Sequence, residues 1–257
     1  MLKRLIKIAI ITLLIGYLGI GLFLYSYQEK ILYHPTPNIK IDYPQMVLHR
    51  EGAEVVVHVL NPGYKNAILY FGGNAESMAQ SADYISQQFP TFTCYLMDYR
   101  GFGESTGEAS EKVLYEDALA LYDEVAKKHE RISIGGRSLG TGIATYVAAH
   151  REVSKLALIT PYDSIVSVAQ GRYPLYPADL LLKDKYDSLS RAKDIKSSTF
   201  IVIAENDMVI PRVHTQKLID AFKKEQLKVM IIKNRGHMDI SDDAAYYKIM
   251  QDFIGEG

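Results

Sequence analysis

The stretch that decides the fold is ISIGGRSLGTGI, residues 132–143. An apolar, strand-like run ends in two glycines, and a helix-like run begins directly after Ser138. Gly136 and Gly140 stand two residues before and two residues after this serine. In such a pattern, the glycines let neighbouring backbone segments come close to a strained strand-to-helix turn that exposes the serine hydroxyl. The five-residue pattern is common by itself, but its context predicts a nucleophile elbow with Ser138 at the tip.

A serine nucleophile needs a histidine base, an acid that orients the base, and donors for the oxyanion. After an elbow of this kind the acid and then the histidine are expected behind later strands. Asp207 comes just past one predicted strand, and His237 comes just past the next. Taken singly, Asp207 could cap a helix and His237 could be a loop histidine, with Glu205 and Asp163 as rival acids. The agreement of residue type, order and position predicts the set Ser138, Asp207 and His237.

Two backbone N–H groups are expected to hold the oxyanion, those of Leu139 and Asn74. Leu139 follows the serine and begins the predicted helix, whose N-terminus carries a positive dipole end. Asn74 lies in the turn after an earlier strand, behind Gly72 and Gly73. The second oxyanion donor usually comes from a loop at that place. The alternative is that residues 72–74 form only a glycine-rich turn between a strand and a helix. Such a turn is compatible with an oxyanion donor at Asn74.

Strand-like and helix-like segments alternate along most of the chain. Predicted strands are residues 55–60, 67–71, 93–98, 131–135, 155–160, 199–204 and 228–233, and predicted helices are residues 77–88, 112–128, 139–150, 213–224 and 243–253. This alternation predicts an α/β fold with a mostly parallel central sheet and helices on both faces.

Residues 161–196 interrupt the alternation, because they are too long for a single crossover helix. The segment is predicted to form a small helical cap over the carboxyl ends of the strands, where open α/β sheets bind their ligands. Its apolar residues Leu175, Tyr176, Leu180 and Leu181 are the candidates for contacts with an acyl substrate. An ordinary surface insertion that packs on its own side chains is the open alternative.

An uncharged apolar stretch, residues 8–28, follows three cations at the N-terminus, Lys3, Arg4 and Lys7. Its length suits a membrane-crossing helix. No small-x-small cleavage site interrupts it, so a retained anchor is favoured over an export signal. The clustered cations predict a cytoplasmic N-terminus and a single-pass protein with its catalytic domain outside the cytoplasm. The expected division is an anchor over residues 1–30 and a catalytic domain over residues 31–257.

Composition excludes several classes of protein. The chain has 257 residues, 48% of them hydrophobic, and a formal net charge of −1. A nucleic-acid binder would normally show a basic excess, so no nucleic-acid partner is expected. The single cysteine, Cys94, excludes an intramolecular disulfide and a multi-cysteine metal site, and it stands in an apolar run where a buried, inert thiol is expected. No metal or organic cofactor is expected.

The motifs together resemble those of the α/β-hydrolases, and in particular the membrane-anchored Bem46/ABHD13-ABHD17-like branch. The matching stretches are residues 31–35, 70–75, 98–105, 136–142, 207–211 and 236–237. The resemblance covers nearly all of the chain beyond the anchor. It implies that Ser138, Asp207 and His237 are the catalytic triad and that residues 98–105 form a structural turn. Gly72 departs from the pattern, since the family usually has histidine there.

These observations lead to the expectation of a serine hydrolase that cleaves carboxylic ester or thioester bonds. A lipid or another acylated small molecule is the expected substrate, and the membrane is the expected partner of the N-terminal helix. A serine peptidase or amidase on the same fold is the enzymatic alternative. A catalytically silent, membrane-tethered binding module is the alternative from another class.

Overall fold

The computed structural model describes residues 1–255, a long N-terminal helix followed by an α/β domain. The strands are β1 (Gln45–Arg50), β2 (Ala53–Leu60), β3 (Asn66–Phe71), β4 (Thr93–Met97), β5 (Arg131–Arg137), β6 (Lys155–Ile159), β7 (Ser198–Ala204) and β8 (Leu227–Ile232). The helices are α1 (Leu2–Leu32), α2 (Met78–Gln88), α3 (Glu111–Val125), α4 (Leu139–His150), α5 (Ile165–Arg172), α6 (Ala178–Leu181), α7 (Ser188–Arg191), α8 (Arg212–Ala221) and α9 (Ala244–Gly255).

The described strands form one sheet in the order β1-β2-β4-β3-β5-β6-β7-β8. The pairs β1-β2 and β2-β4 are antiparallel, and all the pairs from β4-β3 to β7-β8 are parallel. The predicted α/β class with a mostly parallel sheet is therefore confirmed. Parallel strands end at a common edge, so the loops after β3, β5, β7 and β8 meet there.

Helices cover both faces of the sheet and divide the core into two apolar layers. Side chains of α3, α4 and α8 pack on one face, and side chains of α2 and α9 pack on the other. All five residues of β4 are buried, since this central strand contacts a helix layer on each side. This double burial explains why the central strands are continuous apolar runs in the sequence.

Strand β1 is an element that the sequence pattern did not predict. It pairs with β2 through a tight turn at Gly52, whose φ is +70°. Among its residues only Leu48 is buried, because β1 is an edge strand with one neighbour. Its polar residues therefore leave no clear alternation of apolar and polar positions.

The cap and the N-terminal helix both lie beside the carboxyl edge of the sheet. The segment predicted as a cap contains α5, α6 and α7. Helix α1 continues two residues beyond the predicted end of the anchor, and it is long and apolar enough to cross a membrane. Tyr33, the residue after α1, is buried, and its hydroxyl donates to Asp184 at 2.7 Å. The helix is thereby fastened to the base of the cap.

Candidate active site

Ser138 occupies a sharp turn between β5 and α4. Its backbone has φ 48° and ψ −118°, a region that residues other than glycine rarely adopt. A Cβ on Gly136 would lie 2.6 Å from the carbonyl oxygen of Gly140, and one on Gly140 would lie 2.0 Å from that of Phe71. Glycine at both positions therefore lets α4 pack directly against the ends of β3 and β5.

The structure brings the three side chains of the predicted set into one hydrogen-bonded chain. Ser138 Oγ lies 2.9 Å from His237 Nε2, and His237 Nδ1 lies 2.8 Å from Asp207 Oδ2. Asp207 Oδ1 also accepts the backbone N–H groups of Val209 and Ile210, which fixes the carboxylate. The carboxylate orients Nδ1–H toward itself and leaves Nε2 to accept the serine proton.

The two other candidates for the acid that orients His237 are hydrogen-bonded to different partners. Glu205 accepts the backbone N–H of Asn234 at 2.8 Å, and Asp163 faces His214 Nδ1 at 3.0 Å. Asp207 does not cap α8, because that helix begins at Arg212 with a proline at its cap position. Of these three acids, only Asp207 lies in hydrogen-bond contact with His237.

The two predicted oxyanion donors lie on either side of Ser138. The backbone N–H groups of Asn74 and Leu139 donate no hydrogen bond to any other part of residues 1–255. Both residues line the same cavity as Ser138. A Cβ on Gly73 would lie 3.7 Å from Ser138 Cβ, so the loop passes directly beside the serine. Two free donors beside a nucleophile are what an oxyanion hole requires.

The loop that carries Asn74 is held without a histidine at position 72. Tyr99 OH donates to the carbonyl of Gly72 at 2.7 Å, and Glu76 Oε2 accepts the N–H of Gly73 at 2.9 Å. A side chain on Gly72 would meet Met78 at 2.3 Å. Tyr99 and Glu76 therefore support the loop in place of the side chain that the resemblance implied.

Sequence reasoning missed Arg137, which joins the elbow to the histidine loop. Its Nη2 donates to the carbonyl oxygens of His237 and Met238 at 3.3 and 3.1 Å, and its Nη1 lies 3.9 Å from Glu76 Oε2. Burial lowers the pKa of Arg137, but the nearby charge of Glu76 raises it, and the net pKa is above its ordinary value. Its position next to Ser138 was the only signal, because its partners in the histidine loop are about a hundred residues away in sequence.

A cavity of about 440 Å³ opens beside Ser138, and its lining is mainly apolar. Tyr176 and Leu181 line it, as expected of the cap. Leu175 and Leu180 do not, which corrects the expectation: they are 77% and 80% exposed. Helix α6 is a single turn, so residues 180 and 181 point about 100° apart and only one of them faces the cavity.

Helix α1 supplies a wall of the same cavity, a contact that no pattern in the sequence indicates. Leu24, Gln28 and Leu32 are among its lining residues. Asn74 Nδ2 donates to the carbonyl of Leu32, and the N–H of His34 donates to the carbonyl of Asn74, both at 3.0 Å. The end of the N-terminal helix is thus bonded to the loop that carries Asn74, one of the two predicted oxyanion donors.

Comparison with protein families gives a match over residues 66–187 to a family described as having the α/β-hydrolase fold. An uncharacterized protein of Mycobacterium tuberculosis is 26% identical over 250 residues, which cover 90% of this chain and 87% of that protein. The human alpha/beta hydrolase domain-containing protein 17B is 25% identical over 202 residues, 76% of this chain and 68% of that protein.

Solved structures share the fold at low sequence identity. An esterase from Pyrococcus furiosus superposes with a TM-score of 0.68 and 13% identity, covering 87% of this chain and 97% of its own. The enol-lactonase from Burkholderia xenovorans superposes with a TM-score of 0.63 and 16% identity, covering 82% of this chain and 100% of its own.

Proposed function

We propose that this chain, which has the α/β-hydrolase fold, is a serine hydrolase of carboxylic esters or thioesters. The observation that carries the proposal is the hydrogen-bonded chain from Ser138 through His237 to Asp207. Two free backbone donors lie beside it, at Asn74 and Leu139. Nucleophile, base, orienting acid and oxyanion donors are the complete set that acyl transfer needs.

The proposed reaction has two halves. Ser138 Oγ attacks the carbonyl carbon while its proton passes to His237 Nε2, and the N–H groups of Leu139 and Asn74 hold the oxyanion. The bond to the alcohol or thiol then breaks, and the leaving group takes the proton from His237. A water molecule next attacks the acyl-enzyme and gives a proton to His237. The bond to Ser138 Oγ then breaks, the acid leaves, and His237 returns that proton to the serine oxygen. Asp207 orients the imidazole and stabilises its positive charge throughout.

Labelling with a fluorophosphonate tests the proposal, because the reagent bonds only to an activated serine. The Ser138→Ala variant is expected to lose labelling and to hydrolyse p-nitrophenyl esters at least about a thousandfold more slowly. The control is Ser190→Ala, at an exposed position of α7, which should be labelled like the unaltered protein. Undiminished labelling of a folded Ser138→Ala protein would refute the assignment. A folded, unlabelled wild-type protein would favour the silent binding module.

We further propose that α1 is a retained membrane anchor and that the catalytic domain lies outside the cytoplasm. The helix is long and apolar, and none of the residues in its most apolar window is buried against the domain. Lys3, Arg4 and Lys7 precede the apolar part, whereas Glu29 and Lys30 nearly cancel after it. Because the cations are concentrated on the N-terminal flank of the apolar part, a cytoplasmic N-terminus is favoured.

A further inference from the structure

The wall that α1 contributes to the cavity comes from one face of the helix. Leu24, Gln28 and Leu32 are spaced by four residues, so they lie above one another on that face. The cap forms the opposite wall, with Val168, Tyr176 and Leu181 among its lining residues. The cavity of Ser138 is therefore a space between the N-terminal helix and the cap.

The tip of the cap, residues 173–182, is fastened to α1 at Tyr17. Tyr17 OH donates to the carbonyl of Leu175 at 2.9 Å, and Tyr176 OH donates to the carbonyl of Tyr17 at 3.0 Å. The two rings stack at 4.7 Å with an interplanar angle of 6°. A Cβ on Gly21 would lie 3.1 Å from the ring of Tyr176, so glycine there makes room for it.

A second fastening lies three turns further along α1, at Gln28 and Glu29. Gln28 Nε2 donates to the carbonyl of Leu181 at 3.1 Å, and Gln28 Oε1 accepts the N–H of Lys183 at 2.8 Å. Lys183 Nζ also pairs with Glu29 at 2.8 Å. The contacts at Tyr17 and those at Gln28 and Glu29 are about 18 Å apart along the helix axis. Because α1 and the cap tip are bonded at both places, they form one unit.

The position of Tyr17 decides where the cap tip lies relative to a membrane. The uncharged part of α1 begins at Ile8, so only residues 8–16 extend beyond the contact with the tip. Nine helical residues are about 14 Å long, less than half of a hydrocarbon core of about 30 Å. If α1 spans the membrane, the tip must enter it too. If α1 lies along the surface instead, the tip lies there beside it.

Apart from Asp179, whose carboxylate is paired with Lys185 Nζ at 2.7 Å, the chemistry of the tip suits contact with lipid chains. Leu175 and Leu180 are large, apolar and mostly exposed. Pro174 and Pro177 have no N–H group to desolvate. Backbone groups of the tip are bonded within the protein, including the N–H groups of residues 176, 178, 180, 181 and 182 and the carbonyls of residues 174, 175 and 181. Internal pairing of this kind is what backbone in a membrane requires.

We propose that α1 and the cap tip insert into the membrane as one unit, and that the acyl chain of a bilayer lipid ester enters the cavity laterally between them. The seam between them has an ion pair, Lys183 with Glu29, at one end and apolar residues near Tyr17 at the other. Ser138 lies near the polar end, where the carbonyl of such a lipid would be. Hydrolysis adds one water and gives a free fatty acid and the lipid alcohol. This second half rests on the proposed function; the insertion does not.

Insertion is tested with the full-length protein in vesicles whose lipids carry bromine on their acyl chains. The chain contains no tryptophan, so Leu175→Trp and Leu180→Trp each introduce a single tryptophan whose indole can be excited selectively over the tyrosines. Bromine in contact with the indole quenches it, and both variants are expected to lose most of their fluorescence. Tyr64→Trp is the matched control, because Tyr64 is 43% exposed in the loop before β3, at the opposite edge of the sheet. Quenching no greater than in this control would overturn the insertion.

Lateral entry is tested by comparing two substrates on the Leu175→Asp/Leu180→Asp variant. Charges at the tip are costly in a bilayer. Its hydrolysis of a long-chain lipid ester held in the vesicle bilayer should therefore fall at least about tenfold. Its hydrolysis of soluble p-nitrophenyl acetate should not change, since neither leucine lines the cavity. Tyr64→Asp, which places an acid at the opposite edge, should leave both rates unaltered.

The outcomes separate the two proposals. Absence of activity on both substrates in the unaltered protein would refute the serine hydrolase, while the quenching result would still decide the insertion. Equal activity of the tip variant and the unaltered protein on the vesicle ester would refute lateral entry. Hydrolysis of an S-acylated peptide in the vesicle without hydrolysis of the lipid ester would refute a lipid substrate.

Discussion

At the scale of single residues, Ser138 combines a strained backbone with tight local support. Its positive φ costs on the order of 1–3 kcal/mol for a residue with a side chain. Its N–H is bonded to the carbonyl of Ile159 at 2.9 Å, and α4 holds the next residue. The strained backbone conformation directs the hydroxyl of Ser138 toward His237, so the proposed chemistry depends on the conformation of this turn.

Arg137 is predicted to be a positioning residue for His237. The Arg137→Met variant removes both hydrogen bonds to the histidine loop, and a displacement of about 1 Å at such a site can cost up to about a hundredfold in rate. We expect kcat on a p-nitrophenyl ester to fall by about tenfold to a hundredfold with little change in KM. Arg137→Lys should recover part of the loss, since an ammonium still donates to one carbonyl.

The matched control is Arg151→Met, because Arg151 forms a partly exposed ion pair with Asp123 at 2.6 Å. Steady-state kinetics of Arg137→Met, Arg137→Lys and Arg151→Met test the positioning role of Arg137. An unchanged kcat in Arg137→Met, or a loss that is confined to KM, would contradict the positioning role.

Cys94 is predicted to be inert in the folded protein. It is fully buried, and burial raises the pKa of its thiol to about 12. Between the ordinary pKa of 9.0 and about 12 the folded state holds more protons than the unfolded state, so this thiol lowers stability as pH rises through that window. A disulfide reagent at pH 8 should therefore react only after denaturant is added. The Tyr64→Cys variant should react at once through its exposed thiol, and equally fast reaction of the unaltered protein would contradict the prediction.

At the scale of elements, the seating of α4 on β3 and β5 governs the geometry of the elbow. A Cβ on Gly140 would lie 2.0 Å from backbone of Phe71, and backbone cannot rotate away as a side chain can. We expect Gly140→Ala to lower the free energy of unfolding by about 1–3 kcal/mol and to reduce activity, since the helix must shift. Urea unfolding followed by circular dichroism measures the first effect.

Gly171→Ala provides the comparison within another helix. Gly171 lies in α5, and the nearest atom to an added Cβ is 3.6 Å away, an ordinary contact. Alanine there should be neutral or stabilising by about 0.5–1 kcal/mol. If Gly140→Ala proves as stable as Gly171→Ala, the close approach of α4 to β3 is not what requires glycine.

At the scale of the whole molecule, the topology of the proposed anchor decides on which side of the membrane the proposed reaction takes place. We expect protease added to intact cells, or to spheroplasts if an outer membrane is present, to digest the catalytic domain. The physical reason is the cluster of three cations before the apolar part of α1, which favours a cytoplasmic N-terminus. A cytoplasmic protein followed in the same samples shows that the cells stayed intact. Protection until lysis would reverse the topology.

The sequence by itself determined the fold class and the candidate residues of the site. Alternating apolar strands and amphipathic helices are local patterns, and the nucleophile elbow needs only glycines at fixed offsets from Ser138. The order of Asp207 and His237 along the chain was informative because parallel strands end at one edge. Strand β1 left no such pattern, since an edge strand with few buried residues has weak alternation.

Only the tertiary structure decided how distant segments meet. Arg137 contacts the histidine loop, Tyr99 holds the loop that carries Asn74, and α1 closes the cavity against the cap. None of these contacts has a local signature, because each joins residues that are remote in sequence or on independently patterned elements. The same reason explains why Leu175 and Leu180 do not line the cavity as expected. Their apolar side chains suit a cavity wall as well as a lipid-facing surface, and the turn of α6 and the contact with Tyr17 determine which of these they face. Composition determines which residues can leave water, whereas packing determines which surface they face.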